Sequence, residues 1–440
     1  MRKHLWKIAV LAVAVLALAA CKERRPKIKE PEANIPMEPG IPSLEVETDT
    51  SYLKYFEPER LRVDLVLAGN SIEQHAYVDR MFKEAAWAGS PNSLINPFGY
   101  GQYRFDVIAA DKLIFSNSFS TLFEEWRSTP QAEKTDMSMR QAIWMPFPKQ
   151  EVKVVLYQRD NKTLEFDEML EFNVDPADRH IAPAGNSYRH TCLQYKGDPA
   201  HKVDLVFAGE GYTASQAAKL RKDARRMMEY LFSMAPYDKR ADDFNIWLVE
   251  SFSEDEGVDI PQDGIWRNTI LDSGYDTFYE DRYLTVTDHT RIADVVSGIP
   301  FDTIVIIAND EKYGGGGIYN SYALASSDHK LSDPVFIHEF GHSFAGLGDE
   351  YYDSSTPYDE DYYPAGVEPW EPNITTQVNF SAKWEDMIGV DGVGLFEGAG
   401  YVAKGCWRPY EECRMLNNTA PGFCPVCQRA INRMIDFYVK

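Results

Sequence analysis

The five-residue motif His338-Glu339-Phe340-Gly341-His342 constrains this chain more than any other stretch. Residues four apart lie on one face of an α-helix, so the rings of His338 and His342 can bind a single metal ion. Glu339 lies about 100° around the helix from His338, where its carboxylate can take a proton from water beside the metal. The motif therefore predicts a helix that carries a metal-dependent hydrolytic centre.

The residues around the motif also predict a helix, and a buried one. Asp333 is a suitable N-cap, and Pro334 fits the first helical position, where its missing N–H costs nothing. Apolar residues cover nearly every side of the segment: Val335, Phe336, Ile337, Phe340 and Phe344. Buried imidazoles need polar partners or a metal. The alternative is a pair of core histidines with ordinary hydrogen-bond partners, next to a surface glutamate.

Two acidic residues after the helix are candidates for a third metal ligand. Gly346 allows a sharp exit from the helix, because glycine tolerates positive φ. Beyond it, either Asp349 or Glu350 can return to the metal as an anionic ligand. Three protein ligands and one open position are typical of a catalytic zinc, whereas a structural zinc has four protein ligands.

The N-terminus has the pattern of an export signal. Arg2, Lys3 and Lys7 precede an apolar run that is too short to span a bilayer comfortably. Leu18-Ala19-Ala20 directly before Cys21 resembles the bacterial lipoprotein signal. We expect residues 1–21 to be a signal peptide, Cys21 to be lipidated, and the protein to be exported and anchored at an outer-membrane, periplasmic or cell-surface face. An ordinary secretory peptide is the alternative.

Composition, prolines and turn-forming residues divide the rest of the chain into segments. Residues 22–47 contain five prolines among charged residues and predict a disordered tether. Short β-type runs between turn clusters predict an all-β sandwich over residues 48–175, followed by a linker at 176–190. Residues 191–440 form the second folded domain. We expect the sandwich to pack against that domain, to shape its cleft, or to hold substrate.

The charge balance limits the partners. The chain has 45 Lys and Arg against 68 Asp and Glu, a formal charge of −23. Such an excess disfavours nucleic acids and anionic lipid surfaces, which leaves the lipid anchor as the expected membrane contact. At 44% hydrophobic and 13% aromatic residues, the chain can form large cores.

Strands alternate with helices in the second domain and predict a mixed sheet. We expect buried strands at 202–208, 244–249 and 303–308, a long helix from Thr213 to about Met234, and a terminal helix from Pro425 to Lys440. The four glycines 314–317 predict a flexible loop at the cleft, and 321–325 an edge strand. An unpaired edge there can bind an extended peptide through main-chain hydrogen bonds.

The stretch from Tyr351 to Tyr363 is rich in acids and tyrosines. A solvated acidic loop is the plain interpretation. A Ca²⁺ site is the alternative, since hard cations bind several oxygens, although no loop spacing supports it. Its candidate ligands are Asp353, Asp359, Glu360 and Asp361. Tyr351 or Tyr352 is a candidate hydrogen-bond donor to an oxyanion.

Five cysteines remain besides Cys21: Cys192, Cys406, Cys413, Cys424 and Cys427. In an exported protein we expect disulfides, although the pairing cannot be read from the sequence. The alternative is a four-thiolate zinc knuckle formed by Cys406, Cys413, Cys424 and Cys427.

The stretch HEFGHSFAGLGDEY is similar to the signature of the IgA-peptidase family of bacterial zinc metallopeptidases, which has metzincin-like character. VDLVFAGEGYT, the helix after it and FNIWLVES resemble the family's opening strand–helix–strand. The preceding β-rich region resembles the N-terminal domain often attached to it. The resemblance implies Zn²⁺ bound by the two histidines and Asp349, with Glu339 as general base and Met415 in a methionine turn.

Together these observations predict a multidomain α+β protein, in which an all-β sandwich precedes a metzincin-like α/β zinc peptidase domain. The predicted function is that of an exported, lipid-anchored zinc metalloendopeptidase acting on proteins or peptides. Asp349 stands one residue further from His342 than the usual metzincin ligand, so Glu350 remains the other candidate. The alternative function is a catalytically silent surface-binding protein of the same fold.

Overall fold

A computed structural model describes residues 45–46, 52–185, 188–353, 356, 358, 362–364 and 366–439. Cys21 and the whole predicted signal peptide lie outside these residues, as does nearly all of the predicted tether. In the described part, no helix is both long and apolar enough to cross a membrane.

The first region of the chain is rich in β-structure. Its elements, in order, are β1 (Glu45–Val46), α1 (Tyr52–Tyr55), β2 (Phe56–Gly69), β3 (Gln74–Glu84), β4 (Tyr103–Ala109), β5 (Lys112–Phe119), α2 (Leu122–Arg127), β6 (Met137–Pro148), β7 (Val152–Arg159), β8 (Phe166–Val174) and β9 (Ala182–Pro183). They form a five-stranded sheet, β1-β5-β4-β7-β8, and a four-stranded sheet, β6-β2-β3-β9.

The two sheets share one apolar core, to which β2 contributes every second residue. Leu61, Val63 and Leu65 point into this core and are fully buried. Arg60 and Arg62 lie on the opposite face of the same strand, as the two-residue period of a strand requires. They are buried as well, so the second face of this sheet is also covered.

The second region mixes helices and strands. Its elements are β10 (Arg189–Gln194), β11 (Val203–Glu210), α3 (Ala217–Leu231), α4 (Tyr237–Arg240), β12 (Phe244–Glu250), β13 (Ser273–Gly274), β14 (Thr285–Val286), α5 (His289–Val296), β15 (Thr303–Ala308), β16 (Gly315–Ile318), β17 (Tyr322–Ser326), α6 (Ser332–Ala345), β18 (Phe396–Ala399), β19 (Val402–Arg408) and α7 (Pro425–Val439). A β-rich region followed by a mixed α/β region agrees with the predicted α+β class.

A six-stranded sheet with the order β10-β12-β11-β15-β17-β16 organises this region. The central strand β11 is parallel to both its neighbours. Its Leu205 and Phe207 pack in the core shared with α3, α6 and α7, while Val206 and Ala208 pack in the core shared with α5. Because helices cover both faces, the strand is a continuous apolar run rather than an alternating one.

Two predictions beside the motif helix were wrong. The predicted edge strand at 321–325 corresponds to β17, which is internal: it pairs with β15 on one side and with β16 on the other. The predicted glycine loop forms β16 instead. A Cβ at Gly317 would stand 2.3 Å from the backbone oxygen of Glu339, so only glycine lets this strand approach α6 so closely.

The motif helix is α6, and it is buried as predicted. It ends at Gly346, whose φ of 64° is left-handed, which confirms the predicted exit. It begins at Ser332 rather than at Pro334. Asp333 lies in the first turn instead of capping the helix, and it pairs there with Arg226 Nε at 3.0 Å.

Two buried arginines of β2 join the two regions. Arg60 Nε lies 2.5 Å from Glu84, and Arg60 Nη2 donates to the Val296 carbonyl at 3.3 Å. Arg62 binds Asp64 on its own strand and Asp294 on α5, at 2.6 and 2.7 Å. Charges removed from water need partners, so these contacts hold α5 in a fixed place on the four-stranded sheet.

His289, at the start of α5, lies in the same interface. Its ring meets Trp144 edge-on, with centroids 5.6 Å apart, and its Nδ1 accepts a hydrogen bond from the Ala142 amide at 3.2 Å. Burial lowers the pKa of His289 from 6.5 to about 3. The folded protein therefore keeps this imidazole neutral.

We expect His289→Phe to flatten the pH dependence of the unfolding free energy. Between pH 6.5 and about 3 the unfolded chain binds a proton at His289 and the folded chain does not. The stability that the neutral ring contributes is thus complete above pH 6.5 and is lost as the pH falls, by up to about 1.4 kcal/mol per pH unit. Urea unfolding across this range measures the slope. His180→Phe, at a 77% exposed side chain, is the control, and an unchanged slope in His289→Phe would contradict the expectation.

Candidate active site

Three side chains converge at the C-terminal half of α6. Asp349 Oδ1 lies 2.9 Å from His338 Nε2 and 3.2 Å from His342 Nε2, and the two Nε2 atoms are 3.0 Å apart. Helical spacing places the two rings on one face, and the left-handed turn at Gly346 sends the chain back so that Asp349 reaches them.

Backbone carbonyls fix the other nitrogen of each ring. His338 Nδ1 donates to the Arg414 carbonyl at 2.9 Å, and His342 Nδ1 donates to the Leu347 carbonyl at 2.5 Å. A carbonyl only accepts, so Nδ1 of each ring carries a proton, and in the neutral form of the ring the lone pair is at Nε2. Asp349 Oδ1 has no hydrogen-bond donor among the described residues. Two lone pairs and a buried carboxylate oxygen thus face one another, which calls for a cation.

The electrostatics of the site also favour positive charge. Burial alone would raise the pKa of Asp349, but His342 and His338 hold it well below its usual range. Burial alone would lower the pKa of His342, but Asp349 raises it to about 9. A divalent metal would supply the positive charge beside Asp349 while both imidazoles stay neutral.

The donor set fits a metal ion in spacing and chemistry. Ligand atoms bound tetrahedrally at about 2.0–2.1 Å are separated by roughly 3.3 Å, close to the 2.9–3.2 Å found here. Tyr401 donates to the other oxygen of Asp349 at 2.6 Å and so fixes the carboxylate. Imidazole and carboxylate ligands held by further hydrogen bonds are the usual construction of a protein metal centre.

Glu339 borders the same point without joining the ion pairs. One of its carboxylate oxygens and the ligand nitrogens of His338 and His342 all lie within 4.8 Å of one another. Gly315 gives this side chain its room, because a Cβ there would stand 3.0 Å from Glu339 Cγ. Burial raises the pKa of Glu339. The carboxylate is therefore suited to hold a proton temporarily.

The rival ligand Glu350 and the methionine-turn candidate Met415 occupy different places. Glu350 points away from the histidines, with Oε1 3.3 Å from Cys427 Sγ. Met415 is fully buried beneath α6, and its sulfur would lie 2.8 Å from a Cβ at Gly341. Met415 therefore packs against the centre of the motif, where a methionine turn was predicted.

A cavity of about 420 Å³ opens above these residues, between the β-rich region and the α/β region. Tyr351 lines the cavity, and its ring stacks near that of His338 with centroids 6.4 Å apart. Tyr352 is 39% exposed and packs against Arg408 instead. Of the two predicted oxyanion donors, the structure brings only Tyr351 to the cleft.

Two cleft residues have no signal in the sequence. Glu125, on α2 of the β-rich region, accepts hydrogen bonds from Tyr283 and from Tyr358, the second at 3.0 Å. Burial raises its pKa to about 7. Arg282 places its guanidinium 5.5 Å from the centre of the Tyr351 ring. Both reach the site by packing between distant segments, so local motifs cannot reveal them.

Of the predicted Ca²⁺ site, Asp359, Glu360 and Asp361 lie outside the described residues. Asp353 is described and lines the cavity. The five cysteines beyond Cys21 are free thiols rather than the predicted disulfides. Cys406 packs with Ile374 and Ala399, apart from the other buried thiols, so the four-thiolate knuckle is also wrong.

Two imidazoles and a carboxylate, with a separate glutamate beside them in a cleft, are the side chains that a metal-dependent hydrolase requires. The family model described as IgA Peptidase M64 matches residues 191–393 and 390–435, and that described as Peptidase M64 N-terminus matches residues 51–170. The chain belongs to the IgA peptidase M64 family, and it is a peptidase by that membership. No curated protein matches it.

Proposed function

We propose that the chain is a zinc-dependent endopeptidase, with His338, His342 and Asp349 as the metal ligands and Glu339 as the general base. The convergence of two imidazole lone pairs and a carboxylate oxygen within 2.9–3.2 Å carries the proposal. Two nitrogens and one oxygen suit zinc, and three protein ligands leave a position for chemistry. When bound, zinc supplies a Lewis acid that polarises the scissile carbonyl and lowers the pKa of water.

The chain's own residues perform the proton transfers. Glu339 takes a proton from the attacking water and delivers it to the leaving amine nitrogen. Its raised pKa suits both steps, because a very strong acid would not hold the proton between them. Tyr351 and Arg282 are neighbours in the lining of the cleft. We assign Tyr351 the role of donor to the oxygen that gains negative charge as the peptide carbon becomes tetrahedral.

The charge of the cleft indicates the kind of peptide it accepts. Arg282 is the one Lys or Arg among its described lining residues. Besides the metal ligand Asp349 and the base Glu339, the carboxylates that line it are Glu124, Glu125, Glu280, Asp353 and Glu371. Charge complementarity between cleft and ligand favours binding of the correct partner. We therefore propose that the enzyme prefers peptides with Lys or Arg near the cleaved bond.

Glu125→Gln tests this preference through its pH dependence. With a pKa of about 7, Glu125 is charged above pH 7 and neutral below it. We expect the variant to lose roughly fivefold in kcat/KM for a Lys-containing peptide at pH 8 and almost nothing at pH 6. A charged carboxylate close to a substrate ammonium group contributes about 1 kcal/mol of attraction in water. A peptide with Gln in place of Lys is the control. Equal losses at both pH values would contradict the expectation.

Export and lipid anchoring at Cys21 complete the proposal. They rest on the sequence of residues 1–21, a basic start and an apolar run that ends in Leu-Ala-Ala-Cys. A lipid anchor and an extended tether would hold the peptidase beside a membrane, where it meets exported or external proteins. Metabolic labelling with a clickable fatty acid tests this, and loss of the label in Cys21→Ser is the expected result.

The second candidate function is a surface-binding protein that grips its partner without cutting it. Glu339 argues against it, because a binding module has no use for a free carboxylate beside a metal site. We expect the purified chain to cleave a mixed protein library, to stop with 1,10-phenanthroline, and to recover with added Zn²⁺. The non-chelating isomer 1,7-phenanthroline is the control. Metal-loaded protein that cleaves nothing in the library, immunoglobulin A included, would favour the binding protein.

A further inference from the structure

A second cluster of metal-binding side chains lies behind the active site. One ligand atom from each of Glu350, Cys413, Cys424 and Cys427 lies within 4.8 Å of the others. The exposed fraction of each residue is 3% or less. Three thiols and one carboxylate surround one buried point, and this group is separate from the one formed by the motif histidines.

The backbone around the cluster favours thiolates. Cys424 directly precedes α7 and Cys427 lies in its first turn. The Cys424 amide donates to Cys413 Sγ at 3.3 Å, and the Cys427 amide donates to Cys424 Sγ at 3.5 Å. A helix N-terminus together with amide donors stabilises negative charge on sulfur. These donors would stabilise the thiolates that form when a metal displaces the thiol protons.

Glu350 does not fit an ordinary core of thiols. Its Oε1 accepts from Asn373 Nδ2 at 2.9 Å, while its Oε2 has no hydrogen-bond partner among the described residues. No Lys, Arg or His lies within ion-pair distance of it in the described part of the chain. A buried carboxylate is stable when it is paired or coordinates a metal. Here the groups opposite the carboxylate are sulfurs.

A disulfide explains the cluster less well. The Sγ atoms of Cys413 and Cys427 are 3.7 Å apart, against about 2.0 Å in a disulfide. Any single disulfide among three cysteines also leaves one thiol and the carboxylate without a role. A metal ion bound by all four side chains would give each thiol and the carboxylate a role.

We propose that Glu350, Cys413, Cys424 and Cys427 bind a second Zn²⁺, a structural ion. Thiolates select zinc among the common divalent cations, and four protein ligands leave no position for a substrate. Binding replaces the thiol protons, which are released to solvent. The spacing Cys-x₂-Cys was visible in the sequence, but Glu350 takes the place that was predicted for Cys406.

The position of this ion links it to the active site. Glu350 follows Asp349 directly, and its amide donates to the Met415 carbonyl at 2.9 Å. Between Cys413 and Met415, the Arg414 carbonyl accepts from His338 Nδ1 at 2.9 Å. A metal that joins Glu350 to Cys413 would hold both segments, and through them Asp349 and His338. The ion therefore positions the catalytic ligands without touching substrate.

The test is metal content of the full chain with Zn²⁺ or Co²⁺ as the probe. We expect two Zn²⁺ per chain in the wild type and one in the His338→Ala, His342→Ala double variant. That remaining ion, exchanged for Co²⁺, should give the thiolate-to-Co²⁺ charge-transfer band. Cys424→Ser with Cys427→Ser should remove this band, whereas Cys406→Ser, at a buried thiol outside the cluster, should keep it.

The outcomes separate this inference from the proposed function. A double histidine variant without the thiolate band would overturn the structural site, as would a disulfide among Cys413, Cys424 and Cys427 found by alkylation and mass spectrometry of unreduced protein. If the proposed catalytic zinc were wrong instead, the wild type would hold one ion, the band would be present, and the histidine substitutions would not change the metal content. If the cysteine variants do not fold, the histidine variant still decides.

Discussion

We expect the replacement of Glu339 with Gln to remove nearly all peptide cleavage while the fold and the metal content stay the same. The amide keeps the size of the side chain but cannot take a proton from water. Loss of a general base costs about 10²- to 10⁴-fold in rate, and we expect a fall in kcat of at least that size with little change in KM. Initial rates on one fluorogenic peptide, with zinc measured on the same samples, test this expectation.

Glu311→Gln is the matched control, since Glu311 is exposed and lies outside the residues that line the cavity. It should cleave at the wild-type rate. A metal-loaded Glu339→Gln enzyme that retains more than about a tenth of wild-type kcat would exclude Glu339 as the base, because acid–base catalysis contributes far more than that.

Asp349→Ala is expected to lose the catalytic zinc and, with it, activity. Among the described residues, Asp349 is the carboxylate that lies within ion-pair distance of both histidine Nε2 atoms. Even partners outside the ligand shell change metal affinity by about 10- to 100-fold, so removal of an anionic ligand should exceed that range. Competition with a coloured chelator measures the affinity of the histidine site.

Tyr401→Phe should weaken the zinc site to a smaller degree. It removes the hydrogen bond of 2.6 Å to Asp349 Oδ2 and leaves the metal ligand in place. Its zinc affinity should fall by about 10- to 100-fold, between those of the wild type and Asp349→Ala. Glu350→Ala should keep the histidine-bound ion. If Glu350→Ala instead lost that ion and Asp349→Ala kept it, the two acidic residues would exchange roles.

The motif helix could be predicted because its signal is local. Two histidines four apart, apolar neighbours and a glycine exit define α6 by themselves, and the continuous apolar run at 303–308 is β15. The start of α6 differs from the prediction because Asp333 pairs with Arg226 on α3 instead of capping the helix. The local capping preference of an aspartate does not take such a tertiary partner into account.

The missing parts of the site depend on contacts between distant segments. Glu125 precedes His338 by more than two hundred residues and reaches the cleft because α2 packs against it. The glycines of β16 suggested a loop, yet they allow a strand to lie against Glu339. From the sequence, the family resemblance favoured Asp349 as the third ligand, and Glu350 remained its rival. The fold separates them by sending one to the histidines and the other to the cysteines.

Anomalous scattering from a crystal of the zinc-loaded protein, at energies on either side of the zinc edge, tests the zinc assignment most directly. We expect a peak bounded by His338, His342 and Asp349, with Glu339 near it but not bound to it, and no fourth protein ligand. A peak that is absent there, or one whose fourth position is filled by a protein side chain, would contradict a catalytic zinc at this site.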